Sequence, residues 1–103
     1  SAPAVAAEDP RLTGLAIVEH RLGNTEAART AMTQLVADQG DSVLYQQAQI
    51  LAQWGDRDAS IATLQRALEI GDSGLIYARN DPFLDPLRKD PRFAQLLSSL
   101  GFD

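Results

Sequence analysis

The chain has 103 residues, 45% of them apolar and 22% charged, which suffices for one domain with a modest core and leaves no room for a second. Fourteen acidic against nine basic residues give a net charge of −5, and no Lys or Arg stripe offsets it, so nucleic acid and anionic membranes are disfavoured as partners. The absence of cysteine removes disulfides, thiolate nucleophiles and cysteine-based zinc sites and leaves the redox compartment open, and no apolar run approaches the ~20 residues that span a bilayer.

Residues 1–8, rich in small side chains, lack the basic and long apolar segments of a signal peptide and read as a linker at the edge of a fragment of something larger. Asp9-Pro10 then supplies an N-cap and a proline at the first helical position. Leu12, Leu15, Ala16 and Leu22 recur on one face of a first helix that Gly23 ends. Asn24 is placed to cap a second helix, with Glu26 in its first turn, a stripe of Ala28, Ala31, Met32, Leu35 and Val36, and a stop at Gly40. A third helix runs from about Ser42 through Leu44, Ala48, Leu51 and Trp54 to Gly55. A fourth follows Asp56 and carries Ile61, Leu64, Ala67 and Leu68 up to Gly71. The spacing predicts a fifth helix from Ser73 to Asn80. Three Asp-Pro pairs then start at Asp81, Asp85 and Asp90, predicting one or two short turns and a last helix from Pro91 with Phe93, Leu96, Leu97 and Leu100 on one face.

Sliding the sequence by 32 residues pairs Leu12 with Leu44, Ala16 with Ala48, Leu22-Gly23 with Trp54-Gly55, Ala27 with Ala59, and Met32 with Leu64. This is an internal repeat of a helical hairpin, a unit that cannot bury its apolar face alone. Both hairpins turn in the same short stretch, Gly23-Asn24-Thr25 and Gly55-Asp56-Arg57, which forces each pair of helices to lie antiparallel. The slide works a third time for half a repeat, aligning Ser42-Val43-Leu44-Tyr45 with Gly74-Leu75-Ile76-Tyr77.

Leu12, Leu15, Ala16, Glu19, Ala28 and Met32, and in the second copy Leu44, Gln47, Ala48, Leu51, Ser60 and Leu64, stand where the tetratricopeptide repeat places its large apolar, leucine, small and aromatic residues, and the chain resembles that family. The period of 32 rather than 34, the absence of a closing proline and Glu19 in an aromatic place are departures from the pattern. The resemblance implies an all-α fold of antiparallel hairpins stacked as a short right-handed solenoid with a C-terminal capping helix. On this reading one domain spans 9–101, with repeats at about 9–40 and 41–72 and a half repeat and capping segment at 73–101. The stretch ending Asp90-Pro91-Arg92-Phe93 is similar to the segment that closes such repeats in many bacterial multidomain regulators, which implies the C-terminal part of a larger bacterial protein.

The same resemblance implies a non-catalytic module that binds a protein or peptide in a concave groove lined by the first helix of each repeat. The row adjoining the buried stripe is Thr13, Ile17 and His20 in copy one and Tyr45, Gln49 and Gln53 in copy two, continued by Tyr77. Amides and phenols suit peptide recognition, although Tyr45 and Tyr77 could equally cover core between repeats. Thr13, Ile17, Tyr45 and Gln49 replace the Lys and Asn set that clamps a C-terminal carboxylate. The alternative role is assembly, with the first hairpin packing on upstream repeats or on another copy as a homo-oligomer. Asp81, Asp85 and Asp90 each precede proline, so capping explains them better than acid–base or metal chemistry, and His20 is the only histidine. Trp54 is expected to pack at a hairpin corner. Neither enzymatic activity nor a cofactor or metal is expected, and the setting is taken as cytoplasmic, with the periplasm as the alternative.

Overall fold

A computed structural model describes residues 10–102, so the Asp9 cap and the linker over 1–8 lie outside the described residues. These residues form helices and turns with no strand. The chain divides into two compact units, Ser1–Val43 and Leu44–Asp103. The first holds α1 (Pro10–Arg21), α2 (Thr25–Gln39) and a 3-10 turn at Gly40–Val43; the second holds α3 (Leu44–Gln53), α4 (Arg57–Ile70), 3-10 segments at Ser73–Tyr77 and Pro82–Leu87, and α5 (Pro91–Ser99).

The two hairpin corners are built alike. Gly23 and Gly55 have φ of 85° and 86°, a left-handed conformation that is free for glycine and costly for other residues. At the first corner the Gly23 N–H donates to His20 O and the Asn24 N–H to Glu19 O. Thirty-two residues on, the Gly55 N–H donates to Ala52 O and the Asp56 N–H to Leu51 O. The repeat seen in the sequence is thus repeated in backbone hydrogen bonds. The caps differ, however: the Asp56 side chain accepts from Ala59 N, whereas Asn24 makes no side-chain cap and donates through Nδ2 to Glu19 Oε1 at 2.7 Å.

In the first unit α1 buries Leu12, Ala16 and Ile17 against Ala28, Ala31 and Leu35 of α2. Leu15 and Leu22, expected on the buried stripe, are exposed. Leu22, whose N–H still bonds Val18 O in the helical manner, is 68% exposed because it lies on the face of α1 that also leaves Leu15 and Val18 exposed. In the second unit α3 buries Leu44, Tyr45, Ala48, Ile50 and Ala52, more than one stripe, while Leu51 and Trp54 are half-buried. Ser60, standing at the repeat's small-residue place, is fully buried and donates its hydroxyl to Ala48 O at 2.7 Å, tying α4 to α3.

The predicted helix from Ser73 to Asn80 is instead a 3-10 segment, Ser73–Tyr77, followed by a turn. Pro82 drives Asp81 into extended backbone (φ −80°, ψ 113°), which ends the segment at Asn80. The tighter helix has three residues per turn. Burial follows it through the two 3-10 segments, with Leu75, Ala78, Asp81, Leu84 and Leu87 buried at every third residue, and Phe93 and Leu96 of the α-helix α5 also fall at multiples of three from Leu75. Leu84, Leu87, Phe93 and Leu96 join Leu44, Ile61 and Leu64 in one core, with Leu97 and Leu100 packed at its edge as the sequence predicted.

This packing makes the tail part of the core. Phe93→Ala should destabilise the chain by about 3–5 kcal/mol, as deletion of a buried aromatic does, whereas Leu22→Ala should change stability by no more than about 0.5 kcal/mol. Urea unfolding followed by circular dichroism checks both, and equal effects would contradict the packing described.

Candidate functional site

Tyr45 stands in the first turn of α3, where backbone N–H groups have no partner inside the helix. Its N–H donates to Asp72 Oδ2 at 3.1 Å, while Asp72 Oδ1 accepts from Gly74 N at 2.8 Å, so one carboxylate caps both α3 and the 3-10 segment after it. The ring lies against the Gly74 backbone so closely that a Cβ there would come within 2.7 Å of it. The phenol then donates to Asp81 Oδ2 at 2.5 Å. Gln49, one turn further along α3, donates Nε2 to the same oxygen at 2.7 Å, and Gln53, a turn beyond that, donates Nε2 to Phe83 O at 2.9 Å. Asp81 Oδ1 accepts from Phe83 N at 2.9 Å.

A buried carboxylate, 8% exposed, is therefore held by three neutral donors, two on the polar row of α3 and one the backbone N–H of Phe83. Such bonds are charge-assisted and short. Burial, and next the hydrogen bond to Asp81, push the Tyr45 phenol well above its ordinary range, because a phenolate would lose water and face a carboxylate. Behind the node the Arg88 guanidinium donates to the carbonyls of Ala78, Arg79 and Asp81 and lies 5.4 Å from the centre of the Phe93 ring.

Asp90, also turned inward, is held differently. Its carboxylate accepts from the side chain and the backbone N–H of Arg92, with Arg57 Nε 3.7 Å away, and Arg92 also reaches Asp58 at 2.7 Å. The side-chain hydrogen bond from Arg92, joined by the backbone one and the nearby positive charges, lowers the Asp90 carboxyl to about 2.

Of the residues predicted to line a groove, Tyr45, Gln49 and Gln53 are brought together, but the chain's own residues 81–83 lie on them. Tyr45 is 2% exposed and belongs to the core, as the alternative reading of it held. Tyr77 is 66% exposed on its 3-10 segment. In the first unit Ile17 is buried, and Thr13 and His20 are half-buried on α1. Sequence reasoning placed Asp81 as a cap, which it is, and missed that its second oxygen is the target of the α3 row; the threefold spacing from Leu75 was the available signal. It also missed an open apolar cleft between α1 and α2, lined by Leu12, Leu15, Glu19, Ala27, Ala31 and Gln34. Among the described residues no group of three or more side chains is placed to hold a metal ion, and no helix is long and apolar enough to cross a membrane.

Residues 41–70, which contain α3 and α4, match the tetratricopeptide repeat family. No match to the chain was found among curated proteins or among solved structures. The repeat is typically a non-catalytic unit of protein–protein interaction.

The shifted phenol sets a pH dependence. Tyr45 keeps its proton in the folded chain above the value of about 10 at which an unfolded tyrosine loses it, so its contribution to stability is complete below about pH 10 and is lost as pH rises further. In a Tyr77→Phe chain, which has a single phenol, absorbance at 295 nm should show phenolate only as helical circular dichroism is lost. Phenolate forming with the helices intact would mean that the Asp81 contact is absent. Asp90 has the opposite sign. Its contribution is present above pH 3.8 and lost as pH falls through about 2, and Asp90→Asn should flatten that acid limb in a circular dichroism titration.

Proposed function

We propose that this chain is a non-catalytic protein-interaction module that docks a peptide or a neighbouring domain and forms the C-terminal part of a larger bacterial protein. The observation that carries the reading is the match of the α3–α4 hairpin to a repeat whose members bind proteins, in a chain whose α1–α2 hairpin repeats the same corner hydrogen bonds 32 residues earlier. The Asp-Pro-rich tail, packed into the core of the second unit, supports the C-terminal placement by its likeness to the segment that closes such repeats.

The predicted row narrows on this reading. Ile17 and Tyr45 are buried, and Gln49 and Gln53 are engaged by the tail, so Tyr77, Thr13 and His20 are the members that a partner could touch. A specific observation favours assembly as a second reading: the α1–α2 cleft leaves Leu15 and Ala27 exposed, and an apolar surface between two helices suits a further helix.

Titrating the isotope-labelled chain with fragments from the rest of its parent protein tests the first reading. Tyr77→Ala should weaken the complex by about 1–2 kcal/mol with helix content unchanged, as an exposed aromatic anchor does. Unchanged affinity would remove Tyr77 from the interface. If assembly is the role, sedimentation should show self-association that Leu15→Arg abolishes, and a monomer at all concentrations would exclude association between copies.

A further inference from the structure

Within the buried row that recurs every three residues, a seven-residue pattern occurs twice, nine residues apart: Asp81-Pro82-Phe83-Leu84-Asp85-Pro86-Leu87 and Asp90-Pro91-Arg92-Phe93-Ala94-Gln95-Leu96. In each, the aspartate Oδ1 accepts from the N–H two residues on at 2.9 Å, proline takes the next position, and the side chains three and six residues after the aspartate are buried. The two differ in what holds the other carboxylate oxygen. For Asp90 it is Arg92, from within the pattern itself. For Asp81 it is Tyr45 and Gln49, on another element.

We infer that the face of α3 formed by Tyr45, Gln49 and Gln53 is a recognition site for segments of the pattern Asp-Pro-x-apolar-x-x-Leu, and that residues 81–87 are its resident ligand. The inference rests on the interaction-module reading and names the chemistry of its ligand. The face makes three kinds of contact. Tyr45 and Gln49 bind the carboxylate, Gln53 binds the carbonyl two residues later, and the second unit's core takes the apolar side chains at Leu84 and Leu87. An asparagine fits less well than the aspartate. Turned toward Phe83 N–H its NH2 group meets an obligate donor, and turned the other way it requires the Gln49 amide to flip and the Tyr45 hydroxyl to accept, with the charge-assisted bonds lost. Contact with the carboxylate oxygens is thus made by neutral donors, while the nearby Arg88 guanidinium is engaged by the backbone carbonyls of Ala78, Arg79 and Asp81.

The resident segment is joined to the Ser73–Tyr77 element by three residues, which gives it a high effective concentration at the face. A segment of the same pattern on a partner gains access only as the resident is weakened. The full chain carrying Asp81→Ala, with the receiving face unaltered, is the test, and the probe is a synthetic peptide of the sequence of residues 79–90. By calorimetry the variant should bind the peptide at least roughly tenfold more tightly than the unaltered chain does, and a peptide with its first aspartate changed to asparagine should bind roughly tenfold more weakly. Adding Gln49→Ala to the variant should reduce the difference between the two peptides, since Tyr45 alone then reaches the carboxylate.

Where Asp81→Ala alone impairs folding, the same titration is read by circular dichroism, and the peptide should restore helix. Absence of binding and of helix recovery at about 1 mM peptide, the range set by effective concentration, overturns the inference, as does equal binding of the aspartate and asparagine peptides. Neither outcome touches the first hairpin or Tyr77, so a failure here is distinguishable from a failure of the interaction-module reading.

Discussion

A carboxylate taken out of water must be given donors, and in the second unit that requirement falls on Asp81. An ionised group left unpaired at such a depth would cost several kcal/mol, so the segment carrying it can pack only where hydrogen-bond donors wait. They wait on α3. Tyr45 is fixed at three points, its N–H on Asp72, its ring on Gly74 and its hydroxyl on Asp81, so the start of α3, the 3-10 segment and the Asp-Pro stretch constrain one another through one side chain. Gly74 has a reason to be glycine that has nothing to do with φ. There is no room for a Cβ beneath the ring.

Three Asp-Pro pairs that look equivalent as local capping signals end in different environments. Asp81 and Asp90 lie a multiple of three residues from Leu75 and turn inward, whereas Asp85 falls off that row, is exposed, and pairs at the surface with Arg88 at 3.0 Å. Position on the threefold row, more than local sequence, decides which aspartate meets the core. The inward pair then divides by partner. Asp90 is bound by cations near the surface, an arrangement open to screening by salt, while Asp81 depends on neutral donors in the interior, where ionic strength has little reach.

Much of the fold was legible because its signals are local. Gly23 and Gly55 announced the corners, the 32-residue offset announced the copied hairpin, and Phe93 and Leu96 announced the face of α5 that packs. What escaped depended on the wrong period or on distant partners. A stripe drawn through Leu15 and Leu22 followed the side of α1 that is exposed together with Val18, and the 3.6-residue reading missed Ile50 and Ala52 because α3 is covered on more than one side. The same expectation made residues 73–80 an α-helix, when a row of Leu75, Ala78, Asp81, Leu84 and Leu87 repeats at the period of a 3-10 helix. Of the candidate site, the sharing of one face by Tyr45, Gln49 and Gln53 was readable from their four-residue spacing. That the tail would lie on them was not, because it turns on contacts made 30 to 36 residues away in the chain.

The tail also constrains the proposed interaction surface. A face whose polar groups are already matched by Asp81 and Phe83 offers an incoming peptide no net hydrogen bonds unless the resident leaves, and Leu84 and Leu87 hold that resident by fully buried apolar area. Contacts made without such exchange must use groups the chain leaves uncovered. In the second unit these include Tyr77 and its neighbour Ile76, and in the first the Leu15 and Ala27 side of the hairpin, where small residues on α2 would let another helix approach closely. The two kinds of contact place different demands on a partner: displacement selects for a segment that reproduces the Asp-Pro pattern, while the cleft selects only for shape and apolar area.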